Sequence, residues 1–174
     1  MENITLNHIL SRRSIRKYQN KKISADIVMK LLQAGMNAPS ACNQQCWHFV
    51  VIEDKEIMNE LSMIHGGYHT LKNSPLSILV CVEPGTAKLD CFLDQDCAAA
   101  TENILIAAQS LELGALWMGV NQTAEEDSNI IRRCLHIPEH IQPFSFVSIG
   151  YPDEQAHPQN KYDEKKIHYN STWE

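Results

Sequence analysis

Leu76-Ser77-Ile78-Leu79-Val80-Cys81-Val82 is the stretch on which the fold turns. It is nearly continuous in apolar residues rather than alternating, the pattern of a strand covered on both faces. Downstream, beyond a polar loop over 83–90 that contains Pro84-Gly85, residues 94–113 form the longest helix candidate. That helix is Ala-rich and largely apolar, which predicts burial in the middle of the fold. Gly114 is expected at its C′ position, and Asp94 and Asp96 read as charges at its start. Upstream, Trp47–Ile52 reads as a strand, and Asp54 as the cap of a helix from 55 to about 64, broken by Gly66-Gly67.

Further out, Ser24 is a plausible N-cap, with Ile27, Val28, Leu31 and Leu32 at helical spacing and Gly35 expected to end or loosen the helix. Residues 4–12 read as a short helix, and Ala38-Pro39-Ser40-Ala41 as a loop. Toward the C-terminus a strand is expected over 115–120 and a helix over 124–135. Pro138 and Pro143 then bracket a loop, and a strand follows over 144–149. Strands that alternate with helices indicate an α/β or α+β layered domain. The final two dozen residues are polar except for Tyr162, Ile167, Tyr169 and Trp173, spacing that suits a tail docked on a surface.

A chain of 174 residues with 44% hydrophobic content fits one domain with a real core. Its 15 Lys+Arg against 21 Asp+Glu, a net charge of −6, argue against a general nucleic-acid binder. The apolar stretches are well short of the ~20 residues of a membrane span, and no leader pattern is visible. A soluble, cytoplasmic protein is the expectation, with no nucleic-acid or membrane partner. Cysteines stand at 42, 46, 81, 91, 97 and 134 without a C-x-x-C pair, so neither a disulfide framework nor a metal site is expected. His65 and His69 are four apart, but Gly66-Gly67 between them argues against one helical face.

Three stretches could carry chemistry. Arg12-Arg13-Ser14-Ile15-Arg16 is a cationic cluster in an acidic chain, and arginine's planar fork fits phosphate or carboxylate oxygens. Pro39-Ser40-Ala41-Cys42-Asn43-Gln44-Gln45-Cys46-Trp47 is rich in amide and hydroxyl groups that suit a heterocycle edge. In Gly114-Ala115-Leu116-Trp117-Met118-Gly119, glycine near a strand end lets a flat ligand approach the backbone. Taken singly, each has a plain structural reading: a charged turn, a polar loop, a strand end. There is no Walker loop, G-x-G-x-x-G, H-E-x-x-H or G-x-S-x-G.

Together and in order, these stretches resemble the nitroreductase family of flavoproteins. Arg12 to Tyr18 is similar to the family's R-R-S-[IV]-R-x-[FY], Pro39 to Phe49 to its P-S-[SA]-x-N-x-Q-P-W-x-[FW], and Gly114 to Gly119 to its G-x-x-x-W-[ILM]-G. The end of the chain, from Lys161-Tyr162-Asp163 to Trp173, resembles the tail of its short members.

The resemblance implies an α+β sandwich with a mixed central β-sheet flanked by helices, a single domain over 1–174. It implies an obligate homodimer in which the tail, 160–174, is exchanged and packs on the partner. FMN would bind at the interface. Arg12, Arg13, Ser14 and Arg16 would hold its phosphate, ribityl chain and pyrimidine edge, with Lys161 at the phosphate where the family usually keeps arginine. Pro39, Ser40, Ala41, Asn43 and Gln45 would come from the other subunit. Trp117, Met118 and Gly119 would lie by the ring, a backbone N–H near Gly119 or Val120 approaching N5. The activity implied is ping-pong hydride transfer from NAD(P)H through flavin N5 to nitroaromatic, quinone or similar small electron acceptors, with no side-chain catalyst. The other reading is an FMN-binding redox sensor or flavin store with little turnover. Cys46 stands where the family usually has proline, Cys42 falls close to the flavin, and segment 72–92 is too brief for the lid helices of larger members.

Overall fold

The computed structural model describes residues 3–121, 124–157, 159–171 and 173. Thr172 and Glu174 of the expected tail lie outside the described residues. The elements run α1 (Ile4–Ser11), α2 (Ala25–Met36), β1 (Trp47–Ile52), α3 (Lys55–Ser62), β2 (Leu76–Val82), α4 (Leu93–Ser110), β3 (Gly114–Gly119), α5 (Glu125–Leu135) and β4 (Gln142–Gly150). The sheet order is β1-β2-β4-β3, and the three pairings are antiparallel. Among the described residues, parallel character enters through one bridge, Ser14 to Ala115, on the outer edge of β3.

Every residue of β2 is buried, as its unbroken apolar run predicts. The two-residue period of a strand splits it between two cores. Leu76, Ile78, Val80 and Val82 face α2 and α4 with Leu31, Ile104 and Ala108. Leu79 and Cys81 join Met58, Leu61, Leu71, Ile131 and Phe146 on the side of α3 and α5. The result is a helix–sheet–helix sandwich of α+β class. Helix starts follow local chemistry: Asp54 accepts from the N–H groups of Glu56 and Ile57, and Ser24 from that of Ile27.

Gly35 is the second-last residue of α2, close to where it is expected to end or loosen the helix, and it also makes room in the core, since a Cβ there would meet Ile104 and Phe49 within 3.1–3.2 Å. Three boundaries differ from expectation. Helix α4 stops at Ser110, and Glu112, at φ 59°, makes the left-handed turn. Gly114 is therefore the first residue of β3, not a helix cap. Pro143 lies within β4 rather than bracketing a loop. It pairs with Cys81 where the β2–β4 register shifts, an irregularity that tolerates a residue without an N–H. Within the 72–92 segment, β2 takes Leu76–Val82, and the rest is the end of one short 3-10 turn, the loop of 83–89 and a second 3-10 turn at Asp90–Phe92, with no α-helix.

An arm of chain after α1 runs along β3. Ile15 N–H donates to Ala115 O at 3.0 Å, and the Tyr18 hydroxyl reaches Ile15 O and Ser148 Oγ. Burial pushes the Tyr18 phenol well above its ordinary range, so it stays a donor. Gly114 and Gly150, paired across β3 and β4, leave room for this arm. A Cβ on Gly114 would fall 2.7 Å from Ile15, and one on Gly150 would fall 2.7 Å from Tyr18.

Candidate functional site

The arm determines where the arginines go. Arg12 is the C-cap of α1, and its Nε lies 3.6 Å from Glu102. Arg13 is committed to backbone: it donates to the carbonyls of Leu10, Arg12, His157 and Gln159 at 2.6–3.2 Å. It ties the arm to the segment that precedes Lys161. The backbone N–H groups of Arg16 and Lys17 both donate to Glu154 Oε1, which fixes the arm's far end. The Arg16 side chain is exposed and forms no ion pair with a described carboxylate.

Arg12, Arg13, Ser14, Arg16 and Lys161 line one cavity of about 280 Å³, with His157 and Gln159. Four cations around one small space repel one another unless an anion sits among them. Arg16 also lines an adjoining cavity of about 350 Å³ against Trp117, Met118 and Gly119. Its opposite wall is His65, Gly67, Tyr68 and His69. The Tyr68 hydroxyl donates to Gly119 O at 3.2 Å, and burial raises its pKa. A Cβ on Gly119 would meet nothing within 4 Å, so a flat group can lie against the bare backbone there. The Val120 N–H is taken by Phe144 O at 2.9 Å. Alternation along the strand turns the Gly119 N–H away from β4, toward the open edge. Of the two, Gly119 is the donor left for a ligand.

The remaining predicted residues stand apart. Pro39, Ser40, Ala41, Asn43 and Gln45 lead into β1, the opposite edge strand, three inter-strand spacings or roughly 14 Å from β3. Neither cavity takes a residue from this loop. Pro39, Asn43 and Gln45 are exposed. The loop is nonetheless sharply defined. Ser40 Oγ accepts from Gln45 N–H, and Gln45 Nε2 donates to Asn43 Oδ1. Cys42, Asn43 and Gln45 all hold left-handed φ angles of 49–52°. For cysteine and glutamine that conformation costs on the order of 1–2 kcal/mol each, which the surrounding structure must offset.

Asp96 supplies that support. It is buried in the first turn of α4 and accepts from Ala41 N–H at 2.9 Å and Gln44 Nε2 at 2.5 Å, with the Cys46 thiol 3.6 Å away. Gln44, from the same amide-rich run, is a strut that also bonds Leu89 through both ends of its amide. Asp96 does lie in the first turn of α4, as its reading as a helix-start charge predicts, but its bonds to the 39–46 loop are not legible in sequence, which weighs His65 and His69 only as a pair on one helical face and passes over Tyr68 and Glu154. Among the described residues no group of three or more His, Cys, Asp or Glu could hold a metal ion. No described helix is long and apolar enough to cross a membrane.

The model of the Nitroreductase family matches residues 9–67 and 65–151. A protein of Methanothermobacter thermautotrophicus, provisionally described as an NADH dehydrogenase/NAD(P)H nitroreductase, is 40% identical over 94% of this chain and 85% of its own length. A crystal structure from Parabacteroides distasonis, provisionally described in the same words, superposes with a TM-score of 0.92 at 34% identity, over 98% of this chain and all of that one. An FMN-dependent nitroreductase of Clostridium difficile superposes with a TM-score of 0.88 at 31% identity, over 96% and 99% of the two chains.

Proposed function

The chain belongs to the nitroreductase family, and from that premise we propose that it is an FMN-dependent NAD(P)H oxidoreductase acting on nitroaromatic, quinone or similar small acceptors as a homodimer. The observation that carries this reading is the pair of cavities joined at Arg16. One is a cationic socket with the chemistry of a phosphate site. The other is a slot lined by Gly119, where a Cβ would meet nothing within 4 Å. A ligand with a phosphate at one end and a flat ring at the other fits that combination.

Arg12, Ser14 and Lys161 would hold the phosphate. Arg13, with most of its donors on carbonyls, acts chiefly by positioning the socket. Lysine at 161 contributes charge without a bidentate fork. Arg16 would set a positive charge beside the ring, and Gly119 would offer its N–H. Pro39, Ser40, Ala41, Asn43 and Gln45 would reach the ring from the second subunit, which accounts for their distance from the arm within one chain. A bound FMN would supply ping-pong hydride chemistry between NAD(P)H and the acceptor. The chain's own part is to bind, orient and stabilise negative charge.

Anaerobic stopped-flow absorbance of the FMN-loaded protein tests this directly. Rapid bleaching of the oxidised-flavin band by NADH or NADPH, and its return on adding a quinone, is the expected result. A band unmoved by either donor would instead support a flavin sensor or store. Failure to load FMN would overturn both.

A further inference from the structure

Arg16 borders a third cavity, of about 530 Å³, whose other charged walls are Lys17, Lys55, Lys72 and Asp153. Four cations face one carboxylate here, in a chain whose net charge is −6. None of the four forms an ion pair with a described carboxylate. Lys55 is anchored by a 2.6 Å bond from Nζ to Ser74 O, and burial there lowers its pKa. Its ammonium keeps two further donors, with no described carboxylate to neutralise it. Glu154, the neighbouring acid, is occupied by the Arg16 and Lys17 backbone. Lys72 follows the His65–His69 wall of the ring slot by three residues, so one segment walls both spaces.

We propose that this basic cavity is a phosphate-binding site for the nicotinamide dinucleotide donor, receiving its pyrophosphate and, in NADPH, the additional phosphate. This rests on the reductase reading above. The nicotinamide must reach the slot that Arg16 shares, and the phosphates joined to it must leave that slot. The cationic cavity on the same arginine receives them. A multiply charged phosphate group matches four cations better than a single carboxylate does.

The test uses FMN-loaded protein and the double variant Lys17→Gln/Lys72→Gln, both exposed positions where folding should be unaffected. Inorganic pyrophosphate is titrated calorimetrically into each. Flavin bleaching is then followed with NADPH and with dihydronicotinamide riboside, which carries no phosphate. Loss of pyrophosphate binding, a roughly ten- to hundredfold weaker NADPH half-saturation and an unchanged riboside rate are expected. Equal pyrophosphate binding by both proteins, or equal losses with both donors, overturns the proposal. So does an unchanged NADPH half-saturation in a variant that has lost pyrophosphate, which would point to an anionic acceptor instead. If neither NADPH nor the riboside bleaches the unaltered protein, the reductase reading fails, and the pyrophosphate titration still judges the anion site by itself.

Discussion

Cys46 closes the 39–45 loop, with its thiol buried against Asp96, and burial first, then the Asp96 charge, pushes it from 9.0 to about 11. Cys81, in the core of β2, is pushed up to about 12 by burial. The folded protein holds these protons more tightly than the unfolded chain does. Stability from this source is therefore complete below about pH 9 and declines as pH rises through 11. Thermal melts should be flat from pH 7 to 8.5 and fall above 9, and a curve equally flat to pH 11 would contradict it. The same proton affinity keeps Cys46 a thiol near neutrality, so it serves as a donor rather than a nucleophile. Asp96→Ala would strand the Ala41 N–H and the Gln44 amide, a loss of about 1–3 kcal/mol in denaturant unfolding. It should also reduce FMN retention on gel filtration, since the strained loop loses its anchor. Retention equal to the parent would separate the loop from the cofactor.

At the scale of elements, the seam between the arm and β3 is where the cationic socket is made. Ile15 lies so close over Gly114 that any Cβ there must displace backbone or a β-branched side chain, which cannot swing aside. Gly114→Ala is expected to cost about 1–3 kcal/mol by overpacking. The larger effect should be on FMN affinity, since the arm carries Arg12, Ser14 and Arg16. Comparing urea midpoints with FMN dissociation constants checks this, and an alanine variant that binds FMN normally would mean the arm is not the socket's foundation. From sequence alone, Gly114 suggested a helix cap, because a glycine's local options are legible and its neighbours in space are not.

For the whole molecule, the tail is the unresolved debt of a single chain. Trp173 is 86% exposed, Tyr162 67% and Tyr169 61%, while Ile167 is partly so. Apolar groups of that size spaced along a tail need a surface, and a second copy would supply it while bringing its 39–45 loop to this chain's ring slot. Removing residues 161–174 should convert a dimer to a monomer in light scattering at micromolar concentration, with loss of bound FMN. A truncated protein that stays dimeric and yellow would refute tail exchange.

What the chain itself determined was local. The unbroken run in β2, the caps at Asp54 and Ser24, and the strand limits at Trp47 and Ile52 are written in neighbouring residues, because hydrophobic period and capping act over a few positions. The ordered arginine, amide and glycine stretches likewise marked the family, and the first and third of them line the two joined cavities. Tertiary structure alone decided which of those residues meet. It set Arg16 at the junction of three cavities, turned Gly119 rather than Val120 outward, committed Arg13 and Gln44 to struts, and left the 39–45 loop at the far edge of the sheet. Those outcomes depend on strand order and on contacts between residues as much as 146 positions apart, and no local pattern encodes them.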